Sequence, residues 1–192
     1  MHNRRMVLAI LVLLAVGLMP LAAADGSSTW LARINAGMDV IDIGFAGGVG
    51  GGYRFGGPAG NMEVLGDVYY SPYWETYTEG ANTFDYKQTL IILAVRANWL
   101  FNYTPEKRGL YPLLGLGFFA GSFSWTNYNR TTDYTEGNSY FASGTVINLG
   151  LGWAFTHWFE ARFEVPVMVF FGQYGQAAAI AIPLTLSAMF RF

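Results

Sequence analysis

Arginines and carboxylates are the residues of this chain best suited to chemistry, and they tend to stand an even number of positions apart. Glu160, Arg162 and Glu164 alternate with Phe159, Ala161, Phe163 and Val165. Glu63 and Asp67 alternate with Met62, Val64 and Val68, and Arg33 and Asp39 with Ile34, Met38 and Val40. A period of two places such charges on one face of a β-strand. Arg54, Arg96 and Arg191 take the same phase within their own segments, which makes five arginines and five acids with no lysine. A lone charge in an enclosed, water-poor interior is very costly, so equal numbers of both signs imply pairing. Arginine suits this task because its planar fork can bridge two carboxylates. The expected contacts are Glu63–Arg54, Asp67–Arg96 and Glu160–Arg191, with Arg162 sharing Glu164. Such a set can lock an interior, or it can pass ions or protons by exchanging partners.

Other chemistry is thin. Beyond the N-terminal region the only histidine is His157, beside Thr156 in a tight turn, and one histidine makes no Ser–His–acid triad. There is no cysteine and no metal-ligand cluster, so no metal or cofactor is expected. Gly115-x-Gly-x-x-Ala120 matches a dinucleotide-binding pattern in letters only, because it lies inside a strand segment rather than at a strand-to-helix turn. An enzymatic role is therefore not expected. An outer-loop surplus of acids (Asp42, Glu75, Glu79, Asp85, Asp133 and Glu136 against Lys87 and Arg130) would suit divalent ions, or be an ordinary solvated surface.

The elements that would carry the charges are eight strands: Thr29–Val40, Gly44–Phe55, Asn61–Trp74, Tyr86–Tyr103, Leu110–Trp125, Tyr140–Phe155, Trp158–Phe171 and Ala177–Phe192. The connections alternate between tight turns (Gly57–Gly60, Pro105–Gly109, Thr156–His157) and more polar loops (Glu75–Asp85, Thr126–Ser139, Gly172–Gln176). One face of each strand is aliphatic or aromatic. The other is expected to be largely Gly, Ser, Thr and Asn with the charges above, glycine making room in a narrow lumen. Aromatic residues near strand ends predict two girdles. One holds Tyr70, Tyr73, Trp74, Tyr86, Trp125, Tyr128 and Tyr140. The other holds Tyr53, Phe55, Trp99, Phe101, Tyr103, Phe155, Phe159, Phe190 and Phe192. Pro166 and Pro183 fall mid-strand, where a bulge or lost pairing is expected.

The N-terminus reads as a secretory signal. His2-Asn3-Arg4-Arg5 is followed by an apolar run from Met6 to Leu18 and by Ala22-Ala23-Ala24, so cleavage is expected after Ala24, with Ala22 and Ala24 as the small residues that define it. Arg4 and Arg5 are two of the 11 basic residues; nine then remain against 13 acidic ones, a net charge of −4 over 168 residues. No basic excess exists to bind nucleic acid. The whole chain is 53% apolar and only 12% charged. Yet no apolar run after the signal is long enough for a spanning helix. A closed barrel is the other structure that satisfies its whole backbone within lipid. The expected fold is all-β: residues 25–192 as a single eight-stranded antiparallel up-and-down transmembrane barrel.

The chain ends Leu184-Thr185-Leu186-Ser187-Ala188-Met189-Phe190-Arg191-Phe192, an alternating strand closed by an aromatic residue. This resembles the C-terminal signal of outer-membrane proteins, which implies the barrel-assembly machinery as a transient partner and Leu186, Ala188, Phe190 and Phe192 as the residues it reads. Together with Tyr111-Pro112-Leu113-Leu114-Gly115-Leu116-Gly117, the layout is similar to the small barrels of the OmpA, OmpX and OmpW types. The downstream peptidoglycan-binding domain of the first is not expected, and the presumed surface strands and loops are shorter than those of the second. The resemblance implies a bacterial outer-membrane location among lipid and lipopolysaccharide. Three roles follow: a plugged structural or surface-interaction barrel, a narrow channel for small or apolar solutes, and, less expected, a lipid-modifying enzyme.

Overall fold

The computed structural model describes residues 29–39, 45–55, 61–104, 108–171 and 180–192. The expected signal and its cleavage residues Ala22 and Ala24 lie outside them, as do Asp42 and the turns at 57–60 and 172–176. The strands are β1 (Thr29–Asp39), β2 (Phe45–Phe55), β3 (Met62–Glu79), β4 (Asn82–Leu100), β5 (Gly109–Asn129), β6 (Tyr134–Ala154), β7 (Phe159–Phe170), β8 (Ile180–Ala181) and β9 (Pro183–Arg191). Each pairs antiparallel with the next from β1 through β7. β8 and β9 both pair with β7, and β9 pairs back onto β1. The sheet therefore closes on itself, and since β8 and β9 are two parts of one stave, the ring has eight. Trp30 and Phe192 exchange backbone hydrogen bonds of 3.3 and 3.0 Å where the chain ends meet.

Alternation decides which side of the wall meets what. On β5, Tyr111, Leu113 and Phe119 are buried, whereas Leu110, Leu114, Leu116 and Phe118 are exposed. Ile34, Val49, Val68, Ile147, Leu149 and Leu186 likewise point outward, and exposure reaches 66% at Phe118. A continuous aliphatic coat of this kind is stable against hydrocarbon and not against water.

The staves differ in height. β3 to β6 run 18, 19, 21 and 21 residues, against 11, 11 and 12 for β1, β2 and β7. Pairing continues to Glu79↔Asn82 between β3 and β4, and to Asn129↔Tyr134 between β5 and β6. The segments expected as loops at 75–85 and 126–139 are thus mostly strand. Their polar residues are interleaved with Thr, Tyr and Phe, which fit a pleated surface. Tyr77 stacks on Phe84 at 5.1 Å, and Thr76 donates a 2.8 Å hydrogen bond to Asp85. What turns is only Gly80-Ala81 and residues 130–133, with Gly80 and Asp133 at positive φ. By contrast β2–β3 pairing stops at Gly47↔Tyr70 and β6–β7 pairing at Gly144↔Phe170. A four-stranded sheet therefore rises past the other staves at the rim away from the chain ends. Long hairpins on one rim and short turns on the other make the tall rim the outer one.

Candidate functional site: the luminal charge network

Burial brings the charged residues together inside the ring. Arg33, Arg54, Glu63, Asp67, Arg96, Glu160, Arg162 and Glu164 are all buried. They come from β1, β2, β3, β4 and β7, and each sits on the inner phase of its strand. Room for them comes from glycines. A side chain at Gly50 would run into the Asp67 carboxylate and lie 2.6 Å from the Gly66 carbonyl. One at Gly115 would strike the Asn98 amide.

The network has two tiers. In the tier nearer the chain ends, Arg54 reaches Glu63 at 2.8 Å and Glu160 at 2.5 Å, and Arg162 binds Glu160 at 2.8 Å and also pairs with Glu63. In the other tier Arg33 pairs with Glu164 and lies 3.2 Å from Asp67, while Arg96 stands 3.1 Å from Asp67 and 3.3 Å from Glu164. Arg162 and Glu164, 3.8 Å apart, join the tiers. Four guanidinium groups face four carboxylates, so the cluster is neutral as a whole.

The expected contacts Glu63–Arg54, Asp67–Arg96 and Arg162–Glu164 are thus present. Glu160–Arg191 is a correction: Glu160 is taken by Arg54 and Arg162, and Arg191 donates to the Tyr103 hydroxyl and the Thr156 carbonyl. Asp39 stands at the end of β1 opposite Pro183, and its side chain lies outside the described residues. Neutral partners that charge spacing does not single out complete the cluster. Asn98 donates to Glu63 at 2.9 Å, and Asn148 to Glu164 at 3.2 Å. Asn35 accepts from Arg33 at 2.6 Å, and the hydroxyls of Tyr69, Tyr103, Tyr111 and Ser187 each accept from an arginine. Their signal in the sequence is the inner phase of the same strands.

The inner face is also less polar than expected. Tyr69, Ile92, Ala94, Phe119, Val146 and Met168 pack together on the outer side of the ions. Leu100, Tyr103, Tyr111, Leu113 and Ala154 pack near the rim with the short turns. The described inward side chains therefore lie in bands, apolar above and below the ions, with Leu31, Leu65 and Met189 packed among the charged positions. Phase also corrects the girdles. Tyr103 turns inward to the arginines, and Tyr73, Tyr86, Trp125 and Tyr140 continue the inner phase of their strands. Trp158, placed inward by alternation, lies in the turn before β7, is exposed and stacks on Phe190. Trp74 and Tyr70 at the outer rim, and Trp99, Phe101, Phe155 and Phe192 at the other, do face outward.

Among the described residues no three histidine or acidic side chains gather as metal ligands. In the raised sheet Asp85 binds Arg130 at 2.7 Å, Asp133 accepts from Tyr128 at 2.8 Å and Glu75 from Tyr73 at 2.7 Å.

No family model matches this chain, and no curated protein does. Solved structures do. A major outer membrane protein from Thermus thermophilus superposes with a TM-score of 0.62 at 12% identity, covering 86% of this chain and 99% of that one. The N-terminal β-barrel domain of Pseudomonas aeruginosa OprF gives 0.53 at 16%, covering 86% and 98%. Ail, the attachment invasion locus protein of Yersinia pestis, crystallised with the heparin analogue sucrose octasulfate, gives 0.53 at 11%, covering 86% and 97%. The fold is that of the small eight-stranded outer-membrane β-barrels. With an aliphatic coat outside and ions within, the chain has the build of a bacterial outer-membrane protein.

Proposed function

We propose that this protein is a plugged outer-membrane barrel with a structural and surface-interaction role: the barrel conducts nothing and holds the raised β3–β6 sheet outside the membrane. The observation that supports it is the cross-lumen ion network, in which every carboxylate of the two tiers is shared by at least two arginines. An eight-stranded interior is just wide enough for side chains to fill, and here they do. Planar-bilayer recording of the purified protein tests this reading. The expected trace is flat. Stable unitary currents in the wild type, abolished by altering Arg96 or Arg162, would favour a channel through the same network.

Partners follow from the outer wall. Lipid and lipopolysaccharide solvate the aliphatic coat. The outward row Leu186, Ala188, Phe190 and Phe192 on and after β9 is the surface offered to the barrel-assembly machinery. The raised sheet carries Glu75, Glu79, Asp85 and, across its second hairpin, Asp133 and Glu136, against Lys87 and Arg130. Ail is crystallised with a sulfated heparin analogue; an acidic sheet would repel such a polyanion, so contact here is with neutral or basic surfaces. Among the described residues no acid–base constellation faces a substrate site, and no catalytic role is proposed.

A further inference from the structure

The wall of the barrel is interrupted at one rung. Pairing between β7 and β9 runs from Phe159↔Phe190 to Glu164↔Thr185 and stops; pairing between β7 and β8 resumes at Met168↔Ala181. The register is identical on both sides, so no residue is inserted and no bulge forms. Stepping the register along brings Pro166 directly opposite Pro183. Arg191 donates its backbone N–H to Trp158 across this seam at 2.9 Å. Bonded rungs alternate in an antiparallel pair, so 164/185, 166/183 and 168/181 are all of the bonded kind. On the far sides, the Phe171–Ser143 bond and the Trp30–Phe192 pair set the opposite phase. Both proline nitrogens therefore face the seam, where neither has a hydrogen to give. Each proline carbonyl therefore faces a nitrogen that cannot donate, and roughly 13 Å of wall between the 164/185 and 168/181 rungs carries no ladder bond.

Both prolines are buried on the inner phase. Just beyond the rung are Met168, part of the outer apolar cluster with Phe119 and Val146, and Ala181, packed against that cluster. Just below it are Glu164 and Thr185, at the top of the ion network. Parting the strands here breaks no backbone hydrogen bond, and it opens onto an apolar interior that an unbranched methionine can vacate by changing rotamer. We propose that the Pro166/Pro183 rung is a lateral portal and binding site for a single-chain amphiphile of the bilayer. Its alkyl chain enters the outer apolar cluster, and its hydroxyl head group donates to one of the two proline carbonyls that face a proline nitrogen across the seam. The ions beneath close the way onward, so the ligand enters and leaves through the wall. This holds whether or not the barrel conducts.

The test uses the folded protein in phosphatidylcholine vesicles with dodecanol bearing a chain-end diazirine as the probe. After photolysis, inserted label is mapped by mass spectrometry. The expected result is label on the inward residues Met168, Val146 or Phe119 as well as on the outward coat. The chain has no cysteine, so the double variant Val165→Cys/Leu184→Cys places a single closable pair across the seam. Oxidation should lower inward labelling roughly tenfold by removing the open state, with recovery on reduction. Should that variant fail to fold, Pro166→Val/Pro183→Val restores the two missing donors and should give the same loss. Label confined to outward residues in the wild type, or inward label unchanged by closure of the seam, would overturn the portal.

Discussion

Replacing Arg162 by methionine is the most revealing single perturbation. Arg162 pairs with Glu63 through both terminal nitrogens, binds Glu160 at 2.8 Å and donates to Tyr111 at 2.9 Å. It is 1% exposed. Methionine has comparable reach, so the change removes the charge without leaving a large void. Glu63 keeps Arg54 and Asn98, while Glu160 keeps only Arg54. The tier then holds one cation against two carboxylates. Breaking a buried pair by removing one partner costs about 3–5 kcal/mol. That is a large share of the roughly 5–15 kcal/mol that holds a domain together. Reversible urea unfolding in lipid vesicles, followed by tryptophan fluorescence and by the shifted gel mobility of the folded barrel, gives the number. The double variant Arg162→Met/Glu63→Gln sharpens it: neutralising the stranded carboxylate should make the pair cost less than the sum of the singles by about 0.5–3 kcal/mol. A loss below about 1 kcal/mol for Arg162→Met, no more than an exposed ion pair is worth, would refute the view that these contacts hold the staves together.

Three further outcomes are expected. Gly50→Val would press its side chain into Asp67 and should destabilise the barrel by about 1–3 kcal/mol, whereas Gly66→Ala, whose nearest new neighbour is a carbonyl at 3.9 Å, should stay within about 0.5 kcal/mol; urea midpoints compare the two. The Asp85 carboxyl is held below its ordinary value, first by the Arg130 hydrogen bond and second by the Thr76 hydroxyl. Its contact therefore favours the folded hairpin at neutral pH and fades as pH falls through that lowered value; carbon-detected NMR titration should show the pKa rise in Arg130→Gln. Phe192→Ala keeps the backbone bonds to Trp30, yet should lower the assembled fraction in cells while leaving spontaneous refolding into vesicles unchanged; a reduced refolding rate would mean the ring matters to closure rather than to recognition.

The barrel is legible because a two-residue period is imposed by the wall itself. Grease on one side and ions on the other leave Phe159–Val165 only one reading. Where the charges pair is half legible. Arg54–Glu63 and Arg96–Asp67 join neighbouring strands, and closeness in the register finds them. The Arg33–Glu164, Arg54–Glu160 and Arg162–Glu63 contacts cross the ring between staves that are not neighbours, and nothing in adjacency reports a diameter. For that reason adjacency hands Glu160 to Arg191, one strand away, when an arginine on β2 reaches it across the lumen. The raised sheet escapes a sequence reading for a different cause: a strand that leaves the membrane loses its greasy face, and by polarity alone Thr76–Thr78 looks like a loop. The prolines are marked in the sequence, but their meeting needs the register.

The same cross-lumen geometry is what favours the proposed plug over a gate. A relay needs a group that can leave one partner for another at small cost while water reaches it from both sides. Arg54 joins β2 to β3 and β7, Arg33 joins β1 to β7 and β3, and Arg162 joins β7 to β3. Moving any one guanidinium therefore breaks contacts to two carboxylates at once and loosens staves on opposite sides of the ring. Apolar layers close the cluster from above and below, so water is not at hand to replace the lost bonds. On the proposed reading the cost of rearrangement is the cost of opening the barrel, and the cluster acts as a set of cross-braces. The seam at Pro166 and Pro183 lies just past the last brace, Glu164, on β7. The part of the wall free to move begins where the ionic braces end.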